Sequence, residues 1–447
     1  MHLDSGDATA PRLVRTLGLP GLVLFGVAFT APLVVLMTFG ILDAASHGTA
    51  AGSYLIAGVA IFLTAASYGR MASILPGTGS AYTYARKSIA APVGFLVGWS
   101  VLLDYLLLPM MTALLTAVYL HASFPAIPRG AFIVAFLALT TLVNVLGIRT
   151  ANGINGMLMI VQGAVIAAFL TLAVRWIVGS EGAGALHTAT PFFRADVPLS
   201  LTAHGASIAA LSFLGFDAVS TMSDEARDPR RDVPRAVLLV ALIVSVIFVA
   251  SAFVAQLVEG PDALRDAASA GLALTRKVGG EVLASAFTGG MLAAQLAAGI
   301  AAQAGVARLL YAMGRDGVLP SRAFAYVSPR TRTPAFNLVL SAVVGLLALV
   351  LTEEQGASLV NFGAFVAFTS VNLSVVATWL ASRDGARPNA ISWLVLPLLG
   401  TSFTLWLLLS LDTHAKIAGL AWSSLGVLWL LRLTGFFRRE TPALAAE

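Results

Sequence analysis

A chain of 447 residues that is 58% hydrophobic and only 11% charged, with a formal net charge of +5 and no cysteine, has a mean hydropathy of +0.87. Soluble domains carry about 25% charged residues, so the composition indicates an all-α polytopic membrane protein. It excludes disulfides and cysteine metal sites. The basic residues are scattered through short loops, without a basic helix carrying interleaved aromatics, which speaks against nucleic acid as a partner.

Residues 1–17 read as a polar tail carrying Asp4, Asp7, Arg12 and Arg15. The first apolar run is long enough to span, so no cleavable signal peptide is expected. Apolar runs near the ~20 residues that cross a bilayer core follow at 18–43, 50–75, 92–121, 131–148, 153–178, 200–223, 234–258, 283–312, 334–352, 357–381, 391–411 and 415–433. They predict about twelve transmembrane helices. Spans one to five (18–178) and six to ten (200–381) form two halves, with spans eleven and twelve (391–433) and a tail (434–447) after them.

Charge placement is an independent check, because Lys and Arg gather in cytoplasmic loops. With the N-terminus inside, all but seven of the 27 Lys and Arg fall on the cytoplasmic side, the seven being Arg129, Arg175, Arg194, Arg265, Arg276, Lys277 and Lys416. Both termini are therefore expected to be cytoplasmic. The basic stretches 227–235 and 315–332 read as inside-positive anchors and intracellular gate contacts.

In span one, Pro32 lacks a backbone donor and disfavours helix at Ala31, so the helix should open near Thr30. Span three carries an acid about twelve residues deep, too far in to snorkel, in Gly98-Trp99-Ser100-Val101-Leu102-Leu103-Asp104-Tyr105. Pro109, five residues on, loosens the backbone bond at Tyr105. An acid, a phenol and freed carbonyls in one region suit an ammonium group.

Span six carries Gly205, then Ser212, Phe213, Gly215, Phe216 and Asp217, where an uninterrupted lipid-facing helix would want Leu or Ala. A carboxylate in hydrocarbon costs about 3 kcal/mol or more, so Asp217 is a functional residue by default. Spans one and six hold equivalent places in the two halves. Interrupted helices at corresponding positions mark a transporter binding site built on inverted repeats. Phe213, Phe216, Phe362 and Phe365 read mainly as packing, with Phe216 the one expected to touch substrate. Gln295 and Gln303 in span eight and Asn361 in span ten are further polar lining.

His121, His187, His204 and His414 stand singly at span ends or in loops, with no pair at helical spacing for a metal. A membrane enzyme, a resident metal and a cofactor are therefore not expected. His204, near the outer start of span six, reads as a solvated interfacial histidine. A channel or receptor on the same scaffold is disfavoured because the two tails are too short for an output domain.

With these residues in view, the chain resembles the amino acid/polyamine/organocation superfamily of secondary transporters over nearly its whole length. The likeness is carried by Pro76-Gly77-Thr78-Gly79-Ser80-Ala81-Tyr82-Thr83-Tyr84 after span two and by Glu225 through Arg235 after span six. It continues in Arg308-Leu309-Leu310-Tyr311-Ala312-Met313-Gly314-Arg315-Asp316-Gly317 at the end of span eight. Within the superfamily the motifs Thr38-Phe39-Gly40-Ile41, Gly79 through Ala85 and Val97 through Tyr105 are most similar to the bacterial putrescine importers.

The resemblance implies a leucine-transporter-type fold with five-plus-five inverted repeats, interrupted helices one and six, and a central site among spans one, three, six, eight and ten. It implies a location in the inner membrane. It places Asp217 on the acid that amine-recognising relatives use near substrate, and Asp104 and Tyr105 on site-lining positions. Leu211 falls where arginine and putrescine exchangers place a gating Trp. Met37 stands where an acid is expected before Thr38. Some proton-driven members carry a lysine in span five, but between Asn152 and Val178 the one ionisable residue here is Arg175, with Asn155 and Gln162 as polar groups.

Together these readings predict an importer of a small amine-bearing solute, working as a monomer or dimer in the bilayer, with a proton as coupling ion. The substrate-binding residues would be Thr30, Ala31, Pro32, Asp104, Tyr105, Pro109, Ser212, Phe213, Phe216 and Asp217, with Asp104 or Asp217 carrying the proton. Two acids favour a polyamine with an ammonium at each end. An amino acid would set its carboxylate on the amides opened near Thr30 and Ala31 and leave Asp104 unexplained.

Overall fold

The computed structural model of the chain describes residues 17–75, 80–146, 152–259, 269–382 and 388–442. The Pro76 to Gly79 part of the first loop motif lies outside them, as do Arg12, Arg15, Arg149, Arg265, Arg383 and Arg387 from the charge pattern. Among the described residues sixteen α-helices follow one another: α1 (Leu19–Phe29), α2 (Val34–Ala45), α3 (Ala50–Ile74), α4 (Ser80–Ser88), α5 (Ala91–Ser123), α6 (Arg129–Val145), α7 (Asn152–Ser180), α8 (Leu199–Ala209), α9 (Ala218–Thr221), α10 (Pro229–Glu259), α11 (Ala270–Arg315), α12 (Ser321–Phe324), α13 (Ala335–Gly345), α14 (Glu353–Ala381), α15 (Leu396–Leu409) and α16 (Thr413–Thr434). Among the described residues there is no β-strand; a single isolated bridge joins Leu17 to Ala226.

Among the described residues nine helical segments, counting 199–220 as one, are long and apolar enough to cross a membrane. The α1–α2 pair, bent by 47°, is a tenth, and Arg129–Val145 and Ala335–Leu349 are apolar but shorter. Two helices depart from the apolar runs. Gly280, at φ +64, divides α11, so a further helical piece precedes the long arm that the apolar run 283–312 describes. A π-turn, Ile391–Val395, leads into α15.

The core forms because these helices are apolar all round but small on one face. On α10, Val233, Val237, Val240, Val244, Phe248, Ala252 and Ala255 recur every three or four residues and are buried, whereas Leu239, Leu242, Ile243 and Val246 on the other side are exposed. In water that second face would be polar; in lipid it need not be. The buried stripe meets α3, where Gly58 lies against Ser245 and Gly69 against Pro234 of α10. Such small residues let helix backbones approach where no hydrophobic drive exists between helix and lipid.

Leu17 and Thr441, near the limits of the described residues, are each tied to elements around α9. The amide of Leu17 donates to the Glu225 carbonyl at 3.0 Å and the amide of Arg227 to the Leu17 carbonyl at 2.8 Å. The Arg86 guanidinium on α4, which packs against α9, reaches the carbonyls of Thr441 and Pro442 at 3.4 and 3.3 Å. At the opposite end Thr352 and Gln355 form a reciprocal capping box on α14, and Asp412 caps α16 through the amides of His414 and Ala415. That end also carries the Arg129–Glu353 ion pair, 2.5 Å.

Candidate functional site

The first break falls where Pro32 requires it. Helix α1 ends at Phe29, the Thr30 hydroxyl turns back to the Val27 carbonyl at 2.9 Å, and Ala31 takes a φ of +46. A left-handed alanine costs about 1–2 kcal/mol, a strain of the kind that folds keep at functional sites. The chain resumes as α2 when the Val34 amide finds the Ala31 carbonyl at 2.9 Å. Thr30 and Pro32 are buried and Ala31 is half-buried.

The second break faces the first. Helix α8 tightens into a 3-10 turn at Ala210–Phe213, Leu214 is extended at ψ 133, and Gly215 has φ +106 before α9 begins. A Cβ at Gly215 would collide with the ring of Phe29, so the unwound segments pack on one another. Tightening strands carbonyls at the end of α8, and Asn361 of α14 supplies the donor: its Nδ2 lies 2.7 Å from the Ser207 carbonyl and 3.4 Å from that of Ile208. Past the glycine, the backbone amides of Gly215, Asp217 and Ala218 and the Tyr68 side chain turn toward the half-buried Asp217 carboxylate.

The third contributor comes from α5. Gly363 of α14 lets that helix close on Ser100 and Asp104, where a Cβ would sit 2.5 Å from the Ser100 carbonyl oxygen. Oδ1 of Asp104 is buried and accepts no hydrogen bond. Pro109 is buried within α5. Tyr105 remains 39% exposed and lies over Gly305 of α11, so this face of α5 is open. The charge of Asp217 reaches Asp104, Tyr105 and Tyr84. Among the described residues no Lys, Arg or His forms an ion pair with either acid. Asp104 and Asp217 are thus two acids at membrane depth without a basic ion-pair partner among the described residues.

The remaining expected residues divide. Ser212 is 1% exposed and joins Thr38 and Tyr54 in a hydroxyl cluster, with Tyr54 Oη 3.0 Å from each of the other two oxygens. Phe213 stacks edge-on against Phe248 at 5.1 Å. Phe216, expected to touch substrate, is fully buried against Tyr68 at 5.6 Å and Phe368 at 5.3 Å, so this conformation presents none of its ring to an open chamber. Gln303 is fully buried and tied to Thr141 at 2.7 Å and to Asn144 at 3.2 Å, binding α11 to α6. Gln295 is buried. Asn361 serves the broken span as described.

His204 differs from its sequence reading. It is bonded at both ring nitrogens, Nδ1 to the Ser410 carbonyl at 2.7 Å and Nε2 to Glu354 at 3.0 Å, because the starts of α14 and the end of α15 close over it. Sequence reasoning also missed Phe29, Tyr54, Tyr68, Tyr84 and Gly363. A tyrosine within a span is a polar handle that a lipid-facing surface has no use for, and that signal could have found Tyr54 and Tyr68. A groove of about 560 Å³ between α3 and α10, lined by Leu55, Phe62, Leu242 and Phe253, is almost wholly apolar and lies away from the acids.

The amino acid permease family model matches residues 21–403. The chain is 39% identical to the low-affinity putrescine importer PlaP of Escherichia coli (strain K12), over 99% of this chain and 98% of that protein. It is 25% identical to the methylthioribose transporter of Bacillus subtilis (strain 168), over 95% and 94% of the two chains. It is likewise 25% identical to the branched-chain amino acid permease BcaP of the same organism, over 84% and 83%.

Proposed function

The chain belongs to the amino acid permease family within the amino acid/polyamine/organocation superfamily, and from that premise we propose that it imports a small diamine or related organic cation across the bacterial inner membrane by alternating access. The observation that carries this reading is the pair Asp104 and Asp217. These two membrane-depth carboxylates come from different helices, lie within each other's field and have no basic partner among the described residues. Such a pair holds its charge economically only when a cation joins it. A diamine offers one ammonium to each carboxylate, and Tyr105 adds a π face.

The two breaks supply the hinge. Taking the two shorter apolar helices as crossings gives twelve spans, with spans one to five and six to ten as inverted halves meeting at α1–α2 and α8–α9. The shared end of Leu17 and Thr441 is then the cytoplasmic one. One helix bundle rocks against a scaffold around the carboxylates, and the Thr38–Tyr54–Ser212 cluster shuts the outer side in the state described. A proton drives import, and Asp104 or Asp217 gives it up when the ammonium arrives. The identity to a putrescine importer over almost all of both chains favours a diamine. An amino acid substrate leaves Asp104 unused.

The test is uptake of labelled putrescine into proteoliposomes under an inward proton gradient. Asp217→Asn should lower the initial rate at least about a hundredfold, the scale of removing one partner from a buried charge pair, about 3–5 kcal/mol. Uptake at the wild-type rate by that variant would end the assignment.

A further inference from the structure

At the end of the bundle remote from Leu17 and Thr441, His204 of α8 ties three elements together. Its Nδ1 is 2.7 Å from the carbonyl oxygen of Ser410, after α15, and its Nε2 is 3.0 Å from Oε1 of Glu354 in the first turn of α14. A carbonyl only accepts, so Nδ1 carries a hydrogen. The second contact then needs a hydrogen of its own, as imidazolium facing carboxylate or as imidazole facing carboxylic acid. In either form the pair holds one proton more than a neutral imidazole with a carboxylate. When that proton leaves, a ring lone pair faces a carboxylate oxygen and the contact becomes repulsive.

We propose that His204 and Glu354 form a proton-binding site, separate from Asp104 and Asp217, whose occupancy closes this end of the bundle and so links proton binding to the transport cycle. This rests on the reading of the chain as an alternating-access importer. The leverage lies in α8, which leads directly into the break at Gly215. Its contact with α14 is fastened twice: by the Asn361 amide on the Ser207 and Ile208 carbonyls, which needs no titratable proton, and by His204 on Glu354, which does. The Ser207 hydroxyl also reaches the Ser410 carbonyl at 3.3 Å. Glu354 is 39% exposed, which gives the proton a path to water, while His204 is 24% exposed.

The other charged groups around this contact have partners of their own. Glu353 pairs with Arg129 at 2.5 Å. Asp412 caps α16, stands 3.4 Å from His414 and is near enough for its charge to act on His204. Arg194 and Asp196, in the loop before α8, bond each other at 2.8 Å. Asp43 on α2, also packed against α8, feels Arg194. Lys416 donates to the Leu409 carbonyl at 2.9 Å, the His414 side chain is 81% exposed, and His47 follows Ser46, which packs against Gly205.

Glu354→Gln separates a proton site from a mere strut, because a glutamine amide can donate to the neutral Nε2 and keep the link without a titrating proton. Full-length protein in proteoliposomes, at clamped membrane potential, should take up putrescine with a rate that falls as external pH rises, by up to about tenfold per pH unit on the alkaline limb, the limit for one proton. In Glu354→Gln the acid-side rate should stay within about twofold and the alkaline fall should shrink at least about threefold. His414→Gln should leave the profile unchanged. A Glu354→Gln profile of wild-type shape, scaled only in height, overturns the proposal. Hydrogen exchange of segment 199–209, corrected for intrinsic rates, reads the same device without substrate. The wild-type segment should be more protected at pH 6 than at pH 8 and Glu354→Gln equally protected at both, by about tenfold in the rate ratio. Equal wild-type protection at both pH values also overturns it. If no amine is taken up yet the exchange difference appears and vanishes in the variant, the importer reading fails and the proton site stands.

Discussion

The ring of Phe29, the last residue of α1, fills the space that any side chain at Gly215 would need. Residues 186 positions apart in sequence thus meet at the two places where the chain abandons helix. One is forced by a proline and the other is permitted by a glycine at φ +106. The contact sets the two breaks side by side, two residues from Asp217.

Gly215→Ala should therefore act on transport more than on assembly. The left-handed backbone alone costs about 1–2 kcal/mol for a side-chain-bearing residue, and the collision with Phe29 adds to it. Putrescine uptake should fall at least about tenfold. Phe29→Ala in the same chain should restore only part of it, because it relieves the collision and leaves the dihedral. Full recovery in the double variant would show that the backbone conformation is not needed.

Asp104→Asn distinguishes substrates by their second charge. If each carboxylate takes one ammonium, the variant should raise KM for putrescine about tenfold or more, about 1.4 kcal/mol. Competition by butylamine, with one ammonium, should change less than about threefold. Equal effects on both amines would remove Asp104 from recognition of the second ammonium.

The hydroxyl cluster of Thr38, Tyr54 and Ser212 holds α2, α3 and the span-six break together. Tyr54→Phe should lower stability by about 0.5–1.5 kcal/mol, the net value of such hydrogen bonds. The effects of Tyr54→Phe and Ser212→Ala should be less than additive, since both remove the same 3.0 Å contact. Thermal melts of both single variants and the double variant check this, and strict additivity would mean that the two hydroxyls are not coupled.

Asn361→Leu removes the donor from two buried carbonyls of α8. A buried carbonyl left without a partner costs about 1–3 kcal/mol, so the melting temperature of the full-length protein should fall by a few degrees, and uptake with it. A melting temperature unchanged within about 1 °C would show that these carbonyls find other donors.

Much of the architecture was legible because lipid imposes one rule on every span: an apolar surface with all backbone groups satisfied inside the helix. Apolar runs gave the helices, Pro32 marked the first break, and Ser212, Gly215 and Asp217 marked the second as positions no lipid-facing helix would choose. Asp104 and Asp217 stood out for the same reason, since a lone acid has no cheap place in hydrocarbon.

What the one-dimensional pattern could not contain is who meets whom. Phe29 reads as one more apolar residue, and only packing turns it into the partner of Gly215. Phe216, beside an acid, looks exposed to ligand, yet Tyr68 and Phe368 enclose it. His204 looks like an interfacial histidine until Glu354 and Ser410, 150 and 206 positions along the chain, supply its two hydrogen-bond partners. Hydrophobicity and the backbone's need for hydrogen bonds are local and additive along a chain, so the sequence determined the membrane setting, the helices, their breaks and the buried acids. Side-chain contact across hundreds of residues depends on how the helices cross, and the tertiary structure alone decided that.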